Sequence, residues 1–405
     1  MQDSSAYLRV KFGEAVWHDR PYVHPQLRKT VPKDFYDRNE IIEGALQILF
    51  SWETRKAVFI VGERRAGKTS MLKLLLDRTG NTKSGGFVPV AVPWLSVSSL
   101  ETLMKEMLSS LYYALGMDDR DTWKNIRNLQ SPSDFQEILG YIAEKFPHKT
   151  FVFGIDEFDT VLSELIATPQ QIGVVNFINM LIETESLPVK MILSSVRDIQ
   201  SCARSLLLIP RFVSFYLTPF SDKDLNEMID ALVGGVTEVE SEQILSLSGG
   251  WPYFAKAILY HWLQKPPDKR NLEDAIEKAI DDVARTWEFI YYNYWNDEER
   301  MLILLLAKQE GLIEKKYIQT LGTSLSVAAE ALTRRGYLLN ERSKYRFRVG
   351  LLLKWLERWP RFPEQYAKYL GGLIENKKYD SQDIWMKEQD DIIDVTWEEL
   401  RHFGL

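Results

Sequence analysis

The first half of the chain alternates two patterns. Short, nearly unbroken runs of β-branched, aromatic and aliphatic residues occur at 57–61 (AVFIV), 87–92 (FVPVAV), up to Ile155 (TFVFGI), at 189–195 (VKMILSS) and at 212–217 (FVSFYL). Between them lie stretches whose apolar positions recur every three to four residues, at 41–50, 68–77, 98–115, 133–145 and 172–182. The first pattern predicts strands buried on both faces and the second predicts amphipathic helices, so the expected architecture is a parallel sheet covered by helices on both sides. After Pro219 the strand pattern stops. Residues 222–264 read as helices interrupted by Ser248-Gly249-Gly250-Trp251-Pro252, and the Pro-containing segment Lys265 to Asn271 reads as a connector. From 297 to 356 the order is helix (298–307), helix (315–320), helix (325–335), then two short strands around a polar turn at 340–344, which is the pattern of a winged helix. The expected division is an N-terminal extension (1–34), an α/β core (35–220), a helical lid (221–265), a helical connector (266–296), a winged helix (297–360) and an acidic C-terminal tail (361–405).

Composition narrows the class without choosing a function. A chain of 405 residues exceeds one ordinary hydrophobic core and calls for about two or three domains. Its 45% hydrophobic and 26% charged residues are those of a globular protein, and a net charge of −7 gives no overall footprint for nucleic acid. Cys202 is the single cysteine, which excludes an intrachain disulfide and a cysteine-rich metal cluster. No run reaches the ~18 apolar residues of a membrane helix, and the first residues lack the apolar segment of a secretion signal, so a cytoplasmic location is expected. The run RTWEFIYYNYW at 285–295 offers rings for stacking on bases, but aromatic packing between helices is the expected use.

Two motifs carry chemistry. Gly62-Glu63-Arg64-Arg65-Ala66-Gly67-Lys68-Thr69 fits G-x-x-x-x-G-K-[ST] and lies between a predicted strand and a predicted helix. Backbone N–H groups of such a loop and the positive end of the following helix converge on phosphate. Gly62, Arg65, Ala66, Gly67, Lys68, Thr69 and Ser70 are therefore candidate nucleotide-binding residues, with Lys68 directed to the β- and γ-phosphates and Thr69 to Mg²⁺. The second motif is the apolar run ending at Ile155, which delivers Asp156 and Glu157 to the sheet's carboxyl edge. Asp156 is expected to support Mg²⁺, and Glu157 to activate the attacking water. Ser194 or Ser195, at the end of a later strand, stands where ATPases that resemble this chain carry a polar residue that senses the γ-phosphate. Arg197, Arg204 and Arg211 are candidates for an arginine that stabilises the transition state across a subunit interface.

VGERRAGKTSMLKLLL, FGIDEFDTVL and LSGGWPYFAKAIL together resemble the STAND and archaeal-type P-loop ATPases, relatives of the AAA+ proteins, over roughly 35–359. The resemblance implies binding of ATP or ADP with Mg²⁺, slow regulatory hydrolysis, and a lid turn whose proline, here Pro252, packs on adenine. Phe35-Tyr36-Asp37-Arg38 is similar to the family's entrance motif, with Asp37 where members carry glycine, and implies Tyr36 and Arg38 at the adenine edge. Ile209-Pro210-Arg211-Phe212 resembles the Pro-Arg element of replication-initiator ATPases and singles out Arg211 as the finger. The family further implies self-association and a switch that controls a partner effector, with prokaryotic defence or signalling as the setting. The competing expectation is a DNA-acting ATPase of the initiator or transposition-regulator kind. Lys344, Arg346 and Arg348 alternate with Tyr345, Phe347 and Val349, placing three cations on one strand face for DNA, whereas the would-be recognition helix exposes mainly Ser326, Glu330 and Thr333. A non-catalytic nucleotide-bound scaffold is disfavoured by the presence of Glu157.

Overall fold

The computed structural model describes residues 38–51, 57–82, 85–93, 97, 99–159, 170–196, 212–233 and 236–358. These form two compact units. The first runs up to Val236 and takes in Trp251–Lys256, and the second comprises Thr237–Gly250 and the chain from Ala257 on.

In the first unit α1 (Asn39–Phe50) precedes β1 (Ala57–Gly62), and α2 (Lys68–Gly80) follows it. Then come β2 (Phe87–Val92), α3 (Leu100–Ala114), α4 (Arg120–Asn128), α5 (Pro132–Lys145), β3 (Thr150–Ile155), α6 (Gln170–Glu183), β4 (Val189–Ser195), β5 (Phe212–Leu217) and α7 (Asp222–Leu232). All five strands are parallel, in the order β2-β3-β4-β1-β5. The expected sheet is thus observed, with strand limits within a residue of the apolar runs. Its alternate residues serve two faces. Phe151, Phe153 and Ile155 of β3 join Phe135, Leu139, Val174 and Ile178 of α5 and α6 in one core, while the intervening Gly154 faces Leu72 and Leu76 of α2. A Cβ at position 154 would lie 2.8 Å from Leu76 Cδ1, so a larger residue here would require the Leu76 side chain to shift, and glycine leaves room for α2 close to β3. Helix starts are set by side chains: Ser131 and Asp134 form a reciprocal capping box at α5, with Pro132 in the first turn, and Asp119 caps α4.

α8 (Glu238–Ser248) belongs to the second unit, and α9 (Pro252–Leu263) begins in the first unit and continues in the second. The second unit then holds α10 (Leu272–Asn293), α11 (Asp297–Lys308), β6 (Leu312–Glu314), α12 (Lys315–Leu321), α13 (Thr323–Arg334), β7 (Leu338–Asn340), β8 (Lys344–Phe347) and α14 (Gly350–Arg358). The three strands pair antiparallel in the order β6-β8-β7, completing a winged helix; β6 adds a strand to the two expected. The aromatic run at 285–295 is used in part for packing, as expected, while Phe289 and Tyr292 are exposed. Trp287, Tyr291 and Trp295 are buried, and Trp295 meets Tyr337 edge-on with ring centroids 5.2 Å apart. Arg300 donates from Nε to Tyr291 O at 2.8 Å and from Nη2 to Tyr292 O at 2.9 Å, covering carbonyls at the α10 carboxyl end. Among the described residues no helix is long and apolar enough to cross a membrane.

The face of the wing differs from the expected cationic stripe. Tyr345, Phe347 and Val349 are buried as the alternation requires, but the intervening cations have partners: Lys344 lies 3.1 Å from Glu314, Arg346 Nε donates to Glu341 at 2.8 Å, and Arg348 Nε donates to Gly249 O at 2.8 Å. α13 exposes Thr323, Ser324, Val327, Glu330 and Arg334, while Ser326 and Thr333 are half-buried.

One buried carboxylate ties the winged helix together. Glu299 is 4% exposed, accepts from Arg335 Nη1 at 3.0 Å on both oxygens, and accepts from the backbone N–H of Asn296 at 3.1 Å, closing a capping box at α11. Glu299→Ala removes the carboxylate half of the capping box and the ion pair to Arg335, which keeps its place over the Tyr337 ring, so a loss of about 1–2 kcal/mol is expected in the urea transition of this unit. An unchanged midpoint in that transition would refute the assignment.

Candidate functional site

The carboxyl ends of β1, β3 and β4 lie side by side, because Ile60 and Val61 pair with Ser194 and Ser195, and Ile155 pairs with Leu193. The loop after β1 is shaped by two residues in the left-handed region, Arg65 at φ 69° and Gly67 at φ 96°. Gly67 precedes α2 as its N-cap with no side chain to occupy the helix end. The N–H groups of the first turn are therefore left for an anion, whose charge the helix dipole favours. Lys68 is buried and donates to the carbonyls of Gly62 at 2.9 Å and Glu63 at 3.0 Å. Burial lowers its pKa, while Asp156, Asp159, Glu63 and Glu157 oppose that shift. Ser70, the next helical residue but one, is exposed.

The two motifs meet at a short hydrogen bond: Thr69 Oγ1 donates to Asp156 Oδ2 at 2.5 Å. The other Asp156 oxygen accepts from the Ser194 hydroxyl, and the Glu157 N–H lies 3.1 Å from Asp156 Oδ1 and 3.2 Å from Ser194 Oγ. Ser194 is thus turned onto the acidic pair; Ser195 is buried beside it. Glu157 sits in the left-handed region at φ 47°, an uncommon conformation for a non-glycine residue and one held here by the bond from its own N–H. Burial, followed by the neighbouring Asp156, raises its carboxyl pKa, and Arg64 and Lys68 counter part of that rise. A base lifted in this way lies nearer the neutral pH at which proton transfer is useful.

The oxygen donors fit a small hard cation. Magnesium binds through one or two protein oxygens and completes an octahedron with phosphate and water, and the Thr69 hydroxyl with Asp156 behind it supplies that partial shell. Among the described residues no group of three or more His, Cys, Asp and Glu forms a separate metal cage.

Of the other expected site residues, Arg38 and Pro252 are described. Arg38 is 4% exposed, donates from Nη2 to Thr218 O at 2.6 Å and stacks 5.0 Å above the Phe220 ring, so its guanidinium is built into the end of β5. Pro252 opens α9 and is half-buried. Tyr36, Arg197, Arg204 and Arg211 lie outside the described residues. The sequence reading passed over Glu63 and gave Asp159 no charge role, yet both are buried and act on Lys68. Asp159 was legible as the last residue of Asp-Glu-Phe-Asp, whereas nothing in the pattern marks the buried position of Glu63.

The chain is similar in fold to the Walker-type ATPase paby2304 of Pyrococcus abyssi, with a TM-score of 0.55 and 17% identity over 80% of this chain and 97% of that one. It is likewise similar to the ORC2 protein of Aeropyrum pernix in its ADPNP-ADP complexes, with a TM-score of 0.53 and 15% identity over 86% of this chain and 98% of that one. No protein-family model and no curated protein matches the sequence.

The raised Glu157 pKa has a definite effect on stability. Below the ordinary carboxylate range, near 4.5, the group is neutral in folded and unfolded chains and contributes nothing. As pH rises through that value the unfolded chain ionises first, and the resulting penalty on the fold is complete above the raised folded pKa. Glu157→Gln removes the penalty, so its melting temperature should exceed that of the wild type at pH 7.5, with the difference shrinking towards zero by pH 4. Equal melting temperatures across that range would contradict the burial of this charge.

Proposed function

We propose that this chain, which has the archaeal-type P-loop ATPase fold, binds ATP with Mg²⁺ and hydrolyses it slowly as a nucleotide-controlled switch acting on a partner protein. The observation that carries the reading is the bond from Thr69 to Asp156, with Glu157 held alongside: the loop that fits a polyphosphate and the strand end that fits a hydrolytic base form one connected group. In this reading the N–H groups from Gly62 to Ser70 bind the phosphates, and the Lys68 ammonium leaves the Gly62 and Glu63 carbonyls for the β- and γ-oxygens. Thr69 and Asp156 would hold the cation, which when bound supplies charge neutralisation on the phosphates. Glu157 takes a proton from the attacking water, and Ser194 keeps the acidic pair in register. Arg38, expected at the adenine edge, would shape that edge from the end of β5, where it bonds to Thr218 O. Self-association, Arg211 as a finger, and a role in prokaryotic defence or signalling are further parts of the proposal.

The test is a pair of variants. Lys68→Ala should weaken Mg²⁺-ATP binding by about 100-fold or more in calorimetry, since it removes a charge-assisted donor to two phosphates. Glu157→Gln should bind as the wild type does but hydrolyse on the order of 10² more slowly, and mass photometry should show the ATP-bound assembly accumulating. Near-wild-type affinity in the first variant, or normal turnover in the second, would end the reading.

The DNA-acting alternative is disfavoured by the wing, where Lys344 and Arg346 are paired with Glu314 and Glu341. At physiological salt the wild type should bind a short duplex no more tightly than the non-specific range of about 10⁻⁴–10⁻⁶ M, as read by fluorescence anisotropy. Nanomolar affinity that disappears in Lys344→Ala/Arg346→Ala would move the protein to the DNA-acting group.

A further inference from the structure

Trp251–Lys256 is an exception in the division of the chain. The residues before it, Thr237–Gly250, and those after it, from Ala257, belong to the second unit, yet these six residues belong to the unit that carries the phosphate loop. One side chain in the segment meets that loop: the guanidinium carbon of Arg65 lies 5.1 Å from the centroid of the Tyr253 ring. Arg65 is also the loop residue with a conformational cost, since φ 69° is uncommon for a residue with a Cβ. A cation over a phenol ring is favourable by an amount comparable with that cost, and more so where water is excluded. The Arg65 Nε lies buried, which places at least part of the guanidinium out of water.

We propose that Tyr253 is a positioning residue of the nucleotide site: its ring holds Arg65 and so keeps the phosphate loop in the strained shape that receives the polyphosphate. The proposal rests on the nucleotide-binding reading above and adds to it a residue from the start of α9, 188 positions from Arg65 in sequence. Arg65 then contributes through the ring rather than as a direct phosphate ligand.

The test is a cycle of Tyr253→Ala, Tyr253→Phe, Tyr253→Leu and Arg65→Ala, with the Arg65→Ala/Tyr253→Ala double variant, in the full chain. Mg²⁺-ADP affinity is read by calorimetry, and KM and kcat by steady-state ATP hydrolysis. Tyr253→Ala and Tyr253→Leu should each weaken ADP binding by about threefold to tenfold and raise KM alike, with kcat at saturating ATP within about twofold of the wild type. Tyr253→Phe retains the ring and should restore the affinity, which also shows that the hydroxyl and the general fold are not at issue. The double variant should be no weaker than the single variants, because each removes the same interaction. Additive losses, or equal losses in the Phe and Leu variants, would overturn the role of the ring while leaving nucleotide binding intact. Failure of the wild type to bind ADP at all would overturn the underlying reading as well.

Discussion

A hydroxyl–carboxylate bond between Thr69 and Asp156 joins residues 87 positions apart and fixes how the rest of the first unit is arranged. The strands that precede them, β1 and β3, are not neighbours, because β4 lies between. The loop after β1 must therefore bring the start of α2 past the end of β4 to reach the end of β3, two places away in the sheet, and α2 then runs on against β3 and β2. Parallel pairing matters equally, since only parallel strands deliver the phosphate loop, the acidic pair and Ser194 to the same edge of the sheet.

Charge imposes the second constraint. Lys68 is buried with Glu63, Asp156, Glu157 and Asp159 all acting on it, while Arg64 acts on Glu157, so carboxylates and cations form one coupled group. The lowered Lys68 pKa and the raised Glu157 pKa share a first cause, burial, and each is moderated by the other's charge.

The strands of the first unit were legible because each is a short, mostly apolar run rich in β-branched and aromatic residues and bounded by polar or turn residues, and this held even for the edge strand β5, where Tyr216 is exposed. α4 was not legible: only Thr122 and Ile126 of Arg120–Asn128 are buried, too few to impose a helical period. β6 spans three residues and alternates over too short a stretch to be read. The two central motifs could be read because loop and strand chemistry is local in sequence. What escaped was the set of long-range partners. Arg38 bonds to Thr218, the wing cations to Glu314, Glu341 and Gly249, and Arg65 stacks on Tyr253; residue type alone shows only that a cation is present, and the fold decides what it faces.

Gly154 shows how tightly the two motifs are bound to a shared history. Any side chain at this position meets the Leu76 and Leu72 side chains of the helix that opens with Lys68 and Thr69, so a change on the strand is felt by the helix. In a lineage of such chains, a larger residue at position 154 is best accommodated alongside a smaller one at position 76. For an engineer transplanting this phosphate loop into another parallel sheet, the unit to move is accordingly the loop with its helix and the glycine-bearing strand two places away, because the loop alone would arrive without the seat that sets its height above the acidic pair.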